Sequence, residues 1–204
     1  MGDQIETLAS KLSTGDEPIY FESLAYPAST DYNASVAEGS ANLINELNYL
    51  STLCGAYAPA VILAGHSQGA NVISDALGYA QWPNGPALTD RAKAMIKSVA
   101  LFGDPQYWPS DSWNAPYGPS GYGVFQRNQY VRDKLGEYRV WGWPQGSTNP
   151  ERQWIPKIRS YCADGDFFCQ SNAGDGNFAI HNSYKTTTMD FARNWIRYMM
   201  TSVN

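Results

Sequence analysis

The sequence is poor in two residue types that carry much of enzyme chemistry. It has only two histidines, His66 and His181, and only three cysteines among its 204 residues. Any reaction that uses an imidazole base must therefore use one of these two side chains. An odd number of cysteines leaves at least one unpaired within the chain. Cys162 and Cys169 have no second Cys or His pair beside them, so no ordinary zinc set can be assembled and we predict no metal site.

Other absences exclude whole classes of protein. The formal net charge is −5, which argues against a nucleic-acid partner. No apolar run is long enough to span a membrane, and no basic-then-apolar signal segment opens the chain. Internal repeats and low-complexity segments are also missing. The length suits one domain, residues 1–204, with a sizeable core.

Apolar runs typical of strands alternate with helical periodicities along the chain. This alternation predicts an α/β fold of three layers around a central, mostly parallel sheet. The predicted helices cover residues 3–13, 34–52, 68–79, 89–96 and 186–201, with another possible over 125–135, and the predicted strands cover 18–26, 61–63, 97–105 and 157–162. A capping box of Ser35 and Glu38 is expected to start the second helix.

The most informative stretch, residues 60–73, is predicted to form a buried strand, a tight turn and a helix. Within it the pattern G-x-S-x-G of a nucleophile elbow places Ser67 on the turn. Gly65 and Gly69 lack a Cβ, so strand and helix can approach closely there. The Gln68 N–H then lies at a helix N-terminus, where it can stabilise an oxyanion. The alternative is a glycine-rich turn whose serine merely caps the helix.

A serine nucleophile needs a base, and two histidines compete for that role. His66 adjoins Ser67, and neighbouring side chains on a tight turn diverge, so we expect it to pack beside the elbow. His181 lies between the last strand and the last helix, in a loop expected above the carboxyl edge of the sheet. His181 is therefore the predicted base, and the alternative is a surface histidine.

The base in turn needs an orienting carboxylate, and the chain order expected on this fold is Ser, acid, His. Asp104, Asp164, Asp166 and Asp175 are candidates. If Cys162 and Cys169 pair, the small loop that they close would fix Asp166, which is our preferred acid. Asp104, at the end of a strand, is the second choice, with a turn-initiating role before a proline as the alternative.

The stretch from about 106 to 154 breaks the alternation of strands and helices. It is rich in Trp, Tyr, Gly and Pro. A long segment without periodicity is usually functional or disordered, and so many aromatic residues argue against disorder. Two interpretations remain open: a lid or substrate-binding wall near Ser67, or an insertion packed at the periphery.

An ordered set of short motifs resembles the cutinase-like serine esterases, a family that includes cutinases and acetylxylan esterases. The resemblance covers nearly the whole chain apart from the aromatic stretch. The motifs that carry it are Tyr26-Pro27-Ala28, Gly65-His66-Ser67-Gln68-Gly69-Ala70, Phe102-Gly103-Asp104-Pro105, Ser160-Tyr161-Cys162 through Asp166 to Cys169, and His181-Asn182-Ser183-Tyr184.

The resemblance implies an α/β-hydrolase fold of the cutinase type without a large cap domain. It implies that Ser67 is the nucleophile, Asp166 the acid, His181 the base and the Gln68 N–H an oxyanion donor. The protein would be secreted, would hydrolyse carboxylic esters and would need no cofactor. We also predict the Cys162–Cys169 disulfide, which closes the loop of the acid.

The sequence departs from the family pattern in two places. His66 stands where the family usually has Tyr, a change we expect to be tolerated. The family also begins with a strand, a turn that supplies a second oxyanion donor, and a cysteine that pairs with the one at Cys54. This sequence begins at what resembles the following helix, so we expect it to be an N-terminally shortened form with Cys54 unpaired.

The function predicted from the sequence is ester hydrolysis through an acyl-enzyme, acting on cutin-like, lipid or short-to-medium acyl esters as a monomer. Two alternatives remain open. The protein could deacetylate a polysaccharide such as xylan, with the aromatic stretch stacking on sugar rings. It could instead be a binding protein for carbohydrate or lipid with an impaired catalytic site.

Overall fold

The structure is a computed structural model that describes residues 2–14, 19–53, 58–78, 85–146, 151–172, 178–184 and 187–201. Seven helices and five strands are assigned in this part of the chain. In chain order they are α1 (Asp3–Leu12), α2 (Tyr32–Leu53), β1 (Val61–His66), α3 (Gln68–Gly78), α4 (Asp90–Met95), β2 (Ile96–Phe102), α5 (Gln129–Gly136), β3 (Arg139–Gly142), β4 (Gln153–Pro156), β5 (Ile158–Tyr161), α6 (Phe178–His181) and α7 (Thr187–Thr201).

The central sheet has the order β1–β2–β5, and both pairings are parallel. Successive residues of β2 face opposite sides, as the pleat requires. Val99 and Leu101 join a core formed with α2, α3, α4 and α5, whereas Ala100 and Phe102 join a second core formed with α1 and α7. Helices therefore cover both faces of the sheet, which confirms the predicted three-layer α/β architecture.

One predicted strand is wrong. Residues 19–26 form no ladder in the structure, although 18–26 was expected to be a strand. Ile19 and Phe21 line a cavity of about 100 Å³ together with Ile62 and Ala64 of β1, and no ladder hydrogen bond joins the two segments within the described residues. A strand needs a neighbour at hydrogen-bonding distance, and the apolar pattern of this segment could not supply one.

Several boundaries also differ from the sequence prediction. Helix α2 begins at Tyr32, so Ser35 lies inside the helix and is not its cap. Its hydroxyl instead donates to Gln68 Oε1 at 3.0 Å. The N-terminus of α4 agrees with the prediction, since Thr89 caps it by accepting from the Ala92 N–H at 3.2 Å. Within the described residues no helix combines the length and apolarity needed to cross a bilayer.

A buried ion pair ties the start of the aromatic stretch to the sheet. Arg127 lies 2.5 Å from Asp104 Oδ2, and both side chains are almost fully buried. The same guanidinium donates to Ser74 Oγ at 2.9 Å and to Gln106 Oε1 at 3.2 Å. Arg127 thereby links α3, the end of β2 and the segment leading into α5.

Replacing Arg127 should destabilise the protein strongly. In Arg127→Leu the Asp104 carboxylate would remain buried without its cation, and breaking a buried pair in this way typically costs about 3–5 kcal/mol. The measurement is urea unfolding of both forms. The matched control is Lys134→Ala, which breaks the exposed Lys134–Glu137 pair and should change stability little. Equal stability losses in the two variants would contradict the structural role of Arg127.

Candidate active site

A sharp crossing between β1 and α3 holds Ser67. The serine follows the last residue of β1 and has a φ of 55°, in the left-handed region. A Cβ placed on Gly65 would lie 2.5 Å from the Gly69 carbonyl oxygen, so only glycine fits position 65. A Cβ on Gly69 would meet nothing closer than 3.7 Å. The predicted steric requirement therefore holds at Gly65 and is wrong for Gly69.

Gln68 is the first residue of α3, and its backbone N–H lies at the helix N-terminus as predicted. This N–H has no hydrogen-bond partner among the described residues. The side chain is held on both sides, since Oε1 accepts from Ser35 Oγ and Nε2 donates to the Ser29 carbonyl, each at 3.0 Å. The turn that carries Ser67 is thereby fastened to the segment that leads into α2.

His181 and Asp166 form a close pair. His181 Nδ1 lies 3.0 Å from both Asp166 oxygens. Asp166 is 0% exposed and His181 is 3% exposed. Tyr184 donates its hydroxyl to Asp166 Oδ2 at 2.7 Å, and the Phe168 N–H donates to Oδ1 at 3.0 Å. Burial alone would raise the pKa of Asp166, but these hydrogen bonds and the charge of His181 lower it, so the carboxylate stays ionised.

The other carboxylates are placed elsewhere. Asp104, the second choice for the acid, is fully buried, but it binds Arg127 and accepts from the Gln106 N–H at 2.9 Å. That contact is the turn role that the sequence left open. Asp164 is exposed, and Asp175 lies outside the described residues. Of the four candidates, the structure brings only Asp166 to His181 among those that it describes.

The predicted disulfide is present. Cys162 and Cys169 are joined with their Cα atoms 5.8 Å apart, and the loop that they close contains Asp166. Cys169 is fully buried. The loop is also held by the Gln170 N–H, which donates to the Asp166 carbonyl at 2.8 Å. Cys54, predicted to be unpaired, lies outside the described residues.

Ser67 and His181 both lie near the carboxyl ends of β1 and β2. The Ser67 N–H donates to the Phe102 carbonyl at 2.8 Å. The next residue, Gly103, lies against the His181 ring, since a Cβ there would be 2.9 Å from His181 Cε1. Ser67 Oγ and His181 Nε2 are not hydrogen bonded to each other in the described structure. Such contacts often tighten only when substrate is bound.

Sequence comparison identifies the family of this chain. The family model described as Cutinase matches residues 2–200. Carboxylesterase Culp1 of Mycobacterium tuberculosis is 35% identical over 193 residues, which is 93% of this chain and 69% of that protein. The chain belongs to the cutinase family. Membership makes it a serine carboxylic ester hydrolase, as the sequence resemblance implied.

Solved structures agree with this assignment at the level of the fold. The catalytic core domain of acetyl xylan esterase from Trichoderma reesei has a TM-score of 0.71 and 20% identity, covering 96% of this chain and 90% of that one. A cutinase-like protein from Cryptococcus sp. has a TM-score of 0.65 and 23% identity, covering 97% and 84%. The cutinase-type α/β-hydrolase fold is therefore confirmed.

In this cutinase-family site, three side chains contact His181 or Asp166 although the sequence predicted no such contact. Tyr184 binds Asp166, and Phe168 packs against the His181 ring with centroids 4.2 Å apart. His66 lies beside the elbow as expected, but its ring contacts His181, with centroids 4.5 Å apart. For Tyr184 a signal was available, because it ends the motif His181-Asn182-Ser183-Tyr184 that carries part of the family resemblance. The other two contacts link segments distant in the sequence.

A cavity of about 790 Å³ in this cutinase-family chain is lined mainly by α2, with two residues contributed by the elbow helix α3. Its walls are mainly apolar, and two polar residues of α3, Asn71 and Asp75, lie one and two turns beyond Ser67. The described lining residues are Tyr32, Asn33, Val36, Ala37, Ser40, Ala41, Ile44, Asn71, Asp75, Gly85, Pro86, Gln106 and Phe125. Within the described ranges, no three His, Cys, Asp or Glu side chains cluster as a metal site would require.

The aromatic stretch divides into two parts with different positions. The first part lies beside the loop of Asp166, since the Val124 N–H donates to the Phe168 carbonyl at 3.0 Å. The second part, the antiparallel pair β3–β4, was not predicted. It comes directly before β5, so it lies at the amino end of that strand, away from the edge that carries Asp166. The position of the first part is consistent with a wall near the site, whereas the position of the second part is consistent with packing at the periphery.

The Asp75 carboxyl should make stability depend on pH. Burial raises the pKa of Asp75 to about 7, although Arg127 partly opposes the shift. Between about pH 4 and about pH 7 the folded protein therefore keeps a proton on Asp75 that the unfolded chain has lost. The free energy of unfolding falls as the pH rises through this window. Asp75→Asn should remove that fall. The measurement is the melting temperature at several pH values, with exposed Asp133→Asn as control.

The two variants should differ in how their stability changes with pH. The stability of Asp75→Asn relative to wild type should rise with pH across the window, whereas that of Asp133→Asn should stay constant. Parallel pH profiles for wild type and Asp75→Asn would show that Asp75 is ionised over the whole range, which contradicts the predicted protonation.

Proposed function

We propose that this cutinase-family protein hydrolyses carboxylic esters with Ser67 as nucleophile, His181 as base and Asp166 as the orienting acid. The observation that carries the proposal is the buried pair of His181 Nδ1 and Asp166 at 3.0 Å, beside the elbow that holds Ser67. A buried, ionised carboxylate at Nδ1 leaves Nε2 of His181 to take a proton.

The reaction follows from this arrangement. Ser67 Oγ attacks the ester carbonyl carbon while His181 Nε2 takes the hydroxyl proton. The Gln68 N–H, which has no other described partner, stabilises the negative oxygen of the tetrahedral intermediate. The intermediate collapses to an acyl-serine and expels the alcohol, which receives the proton from His181. Water then attacks the acyl-enzyme by the same route, releasing the acid and restoring Ser67.

The cavity beside α3 favours an acyl group longer than acetyl. Its volume of about 790 Å³ is in the size range of sites that enclose drug-sized ligands. An acetyl group, with two carbons, would fill only a small part of it. Asn71, which contributes to its lining, lies one helical turn beyond Ser67. We place the acyl chain of a lipid or cutin-like ester there. Deacetylation of a polysaccharide is the second candidate, and it needs no such volume.

The disulfide supports a proposal about location. The Cys162–Cys169 bond closes the loop of the acid, and disulfides are typical of oxidising environments such as the outside of the cell. We therefore expect the protein to act after secretion.

Removing the nucleophile or the acid tests the proposal directly. Ser67→Ala should abolish turnover of p-nitrophenyl esters and stoichiometric labelling by an organophosphate, with the fold intact. Asp166→Asn should lower kcat by about 10⁴-fold, as loss of the orienting acid does in serine proteases. Organophosphate labelling of a residue other than Ser67 would contradict the proposed nucleophile. An inactive wild-type protein would also contradict the proposal.

Filling the cavity tests the substrate class. Ala41→Trp should lower kcat/KM for octanoate esters by at least about tenfold while leaving acetate esters nearly unchanged, because an indole would occupy the space of a long acyl chain. The control is Asn45→Trp on the exposed side of α2, which should affect neither substrate. If the ratio of kcat/KM for octanoate to kcat/KM for acetate in Ala41→Trp equals that of the wild type, the cavity is not the acyl site.

A further inference from the structure

His66 connects the elbow to the proposed base. It is the last residue of β1, and its Nε2 lies 2.8 Å from the backbone carbonyl oxygen of His181. Its ring is tilted by 37° against the His181 ring, with centroids 4.5 Å apart. It also lies 5.8 Å from the ring of Tyr184, which binds Asp166. One side chain thus contacts both the base and the residue that supports the acid.

The protonation of His66 is fixed by this contact. A carbonyl oxygen can only accept a hydrogen bond, so Nε2 of His66 must carry the proton. Burial, with the nearby His181 as a second cause, lowers the pKa of His66 to about 4. At neutral pH His66 is therefore the neutral tautomer with Nε2–H, and it adds no positive charge that would oppose protonation of His181.

The backbone around His181 has little regular structure to hold it. His181 ends α6, a helix of only four residues. The Asn182 and Ser183 N–H groups donate to the carbonyls of Phe178 and Ile180, so those turns do not use the carbonyl of His181. That carbonyl instead accepts from His66, on the central sheet. A residue of the central sheet is thereby hydrogen bonded to the backbone of the proposed base.

We infer that His66 is a positioning residue for His181. Its Nε2–H holds the His181 backbone where Nδ1 can reach both Asp166 oxygens. This inference rests on the proposed function, because it gives His66 a role through the base and none in contact with substrate.

Two substitutions separate the hydrogen bond from the packing. His66→Phe keeps an aromatic ring but removes the donor, whereas His66→Gln keeps an N–H donor of similar reach. We expect kcat for an acetate ester to fall by about tenfold in His66→Phe, in the range of one lost hydrogen bond, with KM nearly unchanged. His66→Gln should stay within about threefold of wild type.

A second readout tests position without turnover. The proton that His181 Nδ1 shares with Asp166 should give a downfield NMR resonance, sharp in wild type and in His66→Gln and broadened by exchange in His66→Phe. The stability control is Met199→Ala, a buried core change near the end of α7 that should lower the melting temperature without lowering kcat.

The result that overturns the inference is a wild-type kcat and a sharp resonance in His66→Phe. Equal losses in His66→Phe and His66→Gln would also overturn it, because the donor would then not matter. Failure of the proposed function looks different: Ser67→Ala would keep its esterase activity, while the NMR comparison would still report whether His66 holds His181.

Discussion

The close contact of Gly65 with Gly69 is the constraint on which the rest of the site depends. A Cβ at position 65 would lie 2.5 Å from the Gly69 carbonyl oxygen, so β1 and α3 can meet only because that position is glycine. The crossing forces Ser67 to a φ of 55°, and the Phe102 carbonyl fixes its N–H at 2.8 Å. The turn therefore carries local strain that the parallel register of β1 and β2 holds in place.

Two buried carboxylates, Asp104 and Asp166, differ in what they can do because they bind different partners. Asp104 and Asp166 both follow a strand of the parallel sheet, and both are fully buried. Asp104 neutralises Arg127, which links α3 to the segment before α5. Asp166 accepts hydrogen bonds from His181, Tyr184 and the Phe168 N–H. A permanently charged guanidinium makes the first a structural pair, whereas an imidazole that can gain and lose a proton makes the second suitable for chemistry.

Family membership and local geometry support different statements about this protein. The match over residues 2–200 makes the chain a serine carboxylic ester hydrolase. The proposed roles of Ser67, His181 and Asp166 rest on the elbow and on the distances between His181 and Asp166. The proposed preference for a longer acyl group rests on the cavity beside α3, which no short motif in the sequence could indicate. The role of His66 depends on one hydrogen bond between residues that are 115 positions apart.

The sequence by itself determined the parts of this protein that local patterns encode. The elbow, the apolar strands β1 and β2 and the long helices follow from short-range spacing and composition, whereas the order Ser67, Asp166, His181 is implied by the resemblance to the family. Tertiary structure decided what depends on distant neighbours. Residues 19–26 have strand-like composition but no ladder, β3 and β4 pair within a stretch that showed no periodicity, and Asp104 binds Arg127. His66 reaches His181 for the same reason: side chains far apart in the sequence become partners only when the sheet brings them together.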